Sequence, residues 1–138
     1  MEPKVFTATK AFIKHNEKIL ILREAKTYED GSNIGKYHIP GGRVKPGQNW
    51  KESLLREIEE ESGLNVEVGK PFFVNKWRPI VKNENWQIIG IFFECIASLD
   101  QITLSEEHDD FLWIDPKDYK KYNLIEDLHP VFVAYLNQ

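Results

Sequence analysis

From Val5 to Ile13, apolar or β-branched residues alternate with others, the period of a strand with one buried face. The turn-like His15-Asn16-Glu17 leads to Ile19-Leu20-Ile21-Leu22, a continuous apolar run that predicts a second strand buried on both faces. A polar stretch from Glu24 to Lys36, with Gly31, Ser32, Asn33 and Gly35, reads as a loop that could border a substrate pocket. Pro40-Gly41-Gly42 and Pro46-Gly47 then bracket Arg43-Val44-Lys45 in a tight segment leading into a helix. That helix is predicted from Trp50 to Ser62. Asn49 and Glu52 are spaced as N-cap and N3 of a capping box, and Gly63 suits the left-handed position past the end. Strands are predicted at Phe72 to Trp77, Trp86 to Ala97 and Phe111 to Ile114. Asp115-Pro116 opens a short helix, and Val131 to Leu136 forms a terminal one behind His129-Pro130. Mixed strands and helices without an internal repeat or linker predict an α/β sandwich around a mixed sheet.

Composition narrows the function classes. The 138 residues are the length of a single domain, 1–138, that buries a core of its own. With 41% apolar and 29% charged residues the chain is neither disordered nor membranous. No apolar stretch approaches the roughly 18 residues of a spanning helix, and Met1-Glu2-Pro3-Lys4 has no signal-peptide pattern, so the cytoplasm is the expected address. A net charge of −4 argues against long nucleic acid as a partner but admits small anions accompanied by a divalent cation. Cys95 lies in an apolar run and reads as a buried, reduced thiol.

The helix carries the chemistry. At 100° per residue Trp50, Leu54, Leu55 and Ile58 form an apolar stripe, Glu57, Glu60 and Glu61 share the face beside it, and Glu52 and Glu59 point elsewhere. Glutamates at i, i+3 and i+4 repel by roughly 0.2–0.5 kcal/mol per pair. Glu60 and Glu61 also occupy the last turn, where the helix dipole disfavours anions. A metal ion explains both violations, because hard cations such as Mg²⁺ gather carboxylate oxygens. A backbone brought close by Gly41 and Gly42 can offer a carbonyl to the same ion.

Gly42, Gln48 and the run Arg56-Glu57-Ile58-Glu59-Glu60-Glu61-Ser62-Gly63-Leu64 together resemble the Nudix box. In that box a Gly and a Glu precede Arg-Glu-apolar-x-Glu-Glu-x-Gly-apolar. Every specified position matches except one, where Gln48 replaces a glutamate. The box spans 23 residues, and the flanking elements resemble the family's α/β/α sandwich over most of the chain. The resemblance implies Glu57, Glu60 and Glu61 as ligands of Mg²⁺ or Mn²⁺, a carbonyl ligand from Gly41, and Arg56 orienting Glu57. It implies hydrolysis of a phosphoanhydride in a nucleoside diphosphate linked to another group, such as a nucleoside triphosphate or nucleotide sugar.

In the family a base or further ligand often comes from a loop before the last strand, here Ser105-Glu106-Glu107-His108-Asp109-Asp110. Glu107 is the first choice and His108 the second. Glu-His-Asp-Asp-aromatic-x-Trp also resembles that loop in the family's sugar-nucleotide hydrolases. Tyr37, Trp77 and Trp86 are candidates to stack on a base, and Arg23, Arg43 and Arg78 to meet phosphates; none of them is assigned to substrate. The expected partner is a small nucleotide-like substrate, with no membrane; a homodimer stays open. Gln48 supports the competing reading, a Nudix-fold nucleotide-binding module with weakened catalysis. A third alternative is an interaction domain whose acidic helix docks on a basic partner.

Overall fold

The computed structural model describes residues 2–25 and 33–138. Strands β1 (Lys4–His15) and β2 (Lys18–Glu24) form a hairpin through Asn16 and Glu17, whose φ values of 49° and 64° suit a two-residue turn. Two short strands, β3 (Tyr37–His38) and β4 (Gly41–Arg43), precede helix α1 (Trp50–Ser62). Then come β5 (Val66–Trp77), β6 (Ile80–Val81), β7 (Glu84–Ala97) and β8 (His108–Ile114). Two 3-10 turns, Pro116–Lys121 and Glu126–Leu128, lead to α2 (His129–Leu136).

The expected α/β sandwich is the observed one. The mixed sheet runs β3-β2-β1-β7-β5, with β1 and β7 parallel and β5 antiparallel to β7. On one face α1 contributes Leu54 and Ile58 to a core with Ile13, Leu20, Leu22, Phe93 and Cys95. On the other, α2 contributes Val131 and Phe132 to a core with Phe12, Ile19, Ile21, Phe92 and Ile114. Ile19 to Leu22 face both cores alternately, and all four are fully buried, as a continuous apolar run requires.

The ends of α1 match the sequence reading: the Asn49 side chain accepts from the backbone N–H of Lys51 and Glu52, and Gly63 has φ 76°. The strands depart from it where pairing is tertiary. β3 and β4 take their form from β2 and β1, and Tyr37 of β3 also bridges to Leu124. β5 starts at Val66 instead of Phe72, because irregularities between Val68 and Phe73 hide its first half from a period-two reading. β8 begins at His108, paired with Glu24, three residues before Phe111. The turn after Asp115 is 3-10. Of the loop expected from Glu24 to Lys36, residues 26–32 lie outside the described residues.

One feature of the sheet positions the site. β1 forks: Lys14 and His15 pair with β2, whereas Ala8, Thr9 and Lys10 pair with β4. Lys10 and His38 stand together at this opening, with Glu61 of the last turn of α1 tied to Gly41 beside them.

Candidate active site

Helix α1 turns its acids into three environments. Glu61 is only 6% exposed, and its Oε1 accepts a hydrogen bond from the Gly41 N–H at 3.3 Å. Glu57, one turn earlier, is half-buried and lies against Gly42: a methyl group there would stand 3.1 Å from the Glu57 carboxyl carbon. Glu60 is exposed and lies 3.8 Å from Arg56 Nε. Glu52 and Glu59 are exposed.

The glycines are required for this approach. Ala11 N–H donates to Pro40 O and Val44 N–H to Thr7 O, an alternation that leaves Gly41 turned away from β1 and toward the helix. Gly41 has φ 137°, and a Cβ on it would fall 2.2 Å from Thr9 O, so no other residue fits. Gln48 is folded into the preceding turn, where its Oε1 accepts from Lys45 N–H at 3.0 Å.

Burial pushes the Glu61 carboxyl up to about 8; Lys10 opposes the shift and Glu57 adds to it. Burial likewise holds the Lys10 ammonium below its usual value, against the attraction of Glu61 and Glu57. His108 is buried, with Nε2 at 2.7 Å from His38 Nε2 and 3.8 Å from Glu61 Oε2, and Nδ1 at 3.3 Å from Ser105 Oγ. A nitrogen pair at 2.7 Å needs one donor and one acceptor, so the two rings cannot both be imidazolium. Burial, then Lys10, lowers His108 to about 4 and His38 well below its usual value. Both rings are neutral at neutral pH, and His108 is a weak base there. Glu107 is exposed, and its carboxyl is raised by partial burial and then by the fields of Glu57, Glu60 and Glu24. The bond from Ala25 N–H to Glu107 O, 2.8 Å, ties this loop to the end of β2.

A cavity of about 160 Å³ adjoins the cluster, lined by Lys10, His38, Trp77, Phe92, Ile125 and Leu128 among others. Lys10, His38 and the cavity were not singled out from the sequence. A signal existed for Lys10, since it shares a strand face with the buried Ala8 and Phe12. Among the sequence candidates, Trp77 lines the cavity, while Tyr37 is buried in the core with its hydroxyl donating to Asp110 Oδ2 at 2.5 Å. Trp86 packs on Phe6, with Arg43 over both rings. Arg23 pairs with Asp109 at 2.6 Å, and Arg78 is exposed. Cys95 is buried, its thiol pushed up to about 12 by that burial, which makes it no nucleophile.

The donors suit a hard divalent cation in kind: two facing carboxylates, one buried, held against a glycine backbone. Among the described residues no three His, Cys, Asp or Glu side chains already stand as a ready metal cage; Glu60 points outward, toward Arg56.

The chain matches the NUDIX domain over residues 6–135. It is 32% identical over 97 residues to the nucleoside triphosphatase NudI of Escherichia fergusonii, covering 65% of this chain and 69% of that protein. The NudI of Klebsiella pneumoniae is 31% identical over the same length. In fold it resembles the MutT protein of Methanosarcina mazei Go1, with a TM-score of 0.86 at 23% identity over 99% of this chain and 96% of that one. The MutT NUDIX hydrolase of Burkholderia pseudomallei superposes with a TM-score of 0.78 at 20% identity over 95% and 98%.

Proposed function

Because the chain belongs to the Nudix hydrolase family, we propose that it hydrolyses a phosphoanhydride bond of a nucleoside triphosphate or a related nucleoside diphosphate derivative, using Mg²⁺ or Mn²⁺. The observation that carries this reading is the Glu57–Glu61 pair closed against Gly41 and Gly42 beside a cavity. Glu57 and Glu61, joined by Glu60 once it turns from Arg56, would be the side-chain ligands, and Gly41 would offer its carbonyl. A bound divalent ion neutralises the polyphosphate and lowers the pKa of bound water for in-line attack at phosphorus.

The protein's own groups do the rest. The cavity takes the base, with Trp77 and Phe92 among its walls. Glu107 accepts the proton of the attacking water; its raised pKa brings it nearer to neutral pH, where a general base works best. Buried, neutral His108 fixes the loop that carries Glu107 through its contact with His38. Arg56 is a positioning residue that steadies Glu60.

Incubation of the purified protein with nucleoside triphosphates and nucleotide sugars tests this. Hydrolysis of at least one triphosphate is expected with Mg²⁺ or Mn²⁺, lost on chelation and regained when the ion is restored. Turnover that persists after thorough chelation would contradict the metal assignment, and no turnover of any substrate would favour the binding module.

A further inference from the structure

We propose that Lys10 is a substrate-binding residue, the cation that takes the phosphate nearest the nucleoside and so joins the cavity to the glutamate cluster. The inference deepens the hydrolase reading and rests on it.

Lys10 stands where the sequence pattern calls for an apolar residue, between Ala8 and Phe12 on one face of β1, both buried. An ammonium there loses hydration, which costs free energy unless an anion compensates. No side chain among the described residues makes that compensation directly. Among the described residues the ammonium has no ion pair within 4.0 Å and no hydrogen bond, and Glu61 and Glu57 act on it through their fields. Its stem is fixed by backbone. Lys10 is the cross-strand partner of Gly41, and a methyl group on Gly41 would stand 3.1 Å from Lys10 Cδ. The same side chain lines the cavity, and among the described lining residues it is the sole cation, because His38 beside it is held neutral by burial.

A fixed cation without a partner among the described residues stands between the glutamate cluster and a cavity whose walls combine Trp77 and Phe92 with Glu24 and Asp127, which matches a ligand with an aromatic, hydrogen-bonding end and an anionic one. The carboxylates alone would repel a polyphosphate. Lys10 supplies the opposite field at the junction, where the phosphate attached to the nucleoside passes from the cavity to Glu57 and Glu61. Its role requires no step in the chemistry, only binding.

The probe is inorganic triphosphate, titrated calorimetrically in chelator so that metal contributes nothing, against wild type, Lys10→Met and Lys10→Arg. Thermal unfolding monitors the fold, and Lys10→Gln replaces the Met variant if that one does not fold. Wild type is expected to bind, Lys10→Met to bind about tenfold more weakly or worse, as loss of a charge-assisted contact implies, and Lys10→Arg to retain most of the affinity. In hydrolysis the neutral variant raises KM more than it lowers kcat. Equal binding by wild type and Lys10→Met, or no binding by wild type, overturns the assignment. Hydrolysis of nucleotides together with either of those results leaves the hydrolase reading standing and Lys10 without its role. Lys10-dependent triphosphate binding without turnover of any nucleotide does the reverse.

Discussion

His108 shows how one buried side chain shapes both the site and the stability of the molecule. Its imidazole is lowered from the usual 6.5 to about 4, first by burial and then by Lys10, and His38 is lowered in the same direction. The unfolded chain takes up these protons as pH falls through 6.5, whereas the folded protein refuses His108 its proton until about 4. The stabilisation is therefore fully present above 6.5 and is lost as pH falls through that window. Glu61 has the opposite sign, because its carboxyl is raised from 4.5 to about 8 and its contribution fades as pH rises between those values. Denaturant unfolding in chelator should show stability declining on acidification below 6.5, with a shallower decline in His108→Gln. An unchanged slope in that variant would contradict a buried, neutral His108. The sequence made Glu61 legible, since three acids on one helix face break two local rules. It left the His38–His108 contact hidden, because 70 residues separate the partners and only pairing of β3 and β8 with β2 brings them together.

At the scale of elements, helix α1 was readable in full because its caps and its periodicity are local. Strands β3 and β4 were not, since two or three residues carry no period and acquire their form from β2 and β1. The Gly41-Gly42 pair is where strand and helix meet, and its two members should respond differently to the same change. Gly41→Ala places a methyl group 2.2 Å from Thr9 O at φ 137° and cannot fit without breaking the β1–β4 pairing, so both fold stability and activity fall. Gly42→Ala meets the Glu57 carboxylate at 3.1 to 3.4 Å, a side chain that can move. Activity should then drop about tenfold or more, since a misplacement of about 1 Å can cost about 100-fold and this shift is smaller, with a change in melting temperature of only a few degrees, as for about 1 kcal/mol. Parallel melting curves and rates check this. Equal stability loss in the two variants would show that Gly42 serves the fold and not Glu57.

In the whole molecule, the mixed sheet supports α1 on one face and α2 on the other, and the fork in β1 opens between β2 and β4. The family was legible from a 23-residue pattern. The cavity was not, because its lining comes from β1, β2, β3, β5, β7, Asn33 and the 3-10 turn before α2, which no sequence window unites. Gln48, the one departure from the box, is engaged with the backbone of its own turn, away from the contacts that hold Glu57 and Glu61. Hydrolysis at the inner glutamates is the central claim, and it separates the acids of α1 by face. The rate of nucleoside triphosphate hydrolysis against Mg²⁺ concentration, in wild type, Glu61→Gln and Glu59→Gln, tests it most directly. Glu61→Gln should lose on the order of 100-fold or more in rate while folding as well as wild type, and Glu59→Gln should follow the wild-type curve. Equal losses in the two variants, or full activity in Glu61→Gln, would contradict the account.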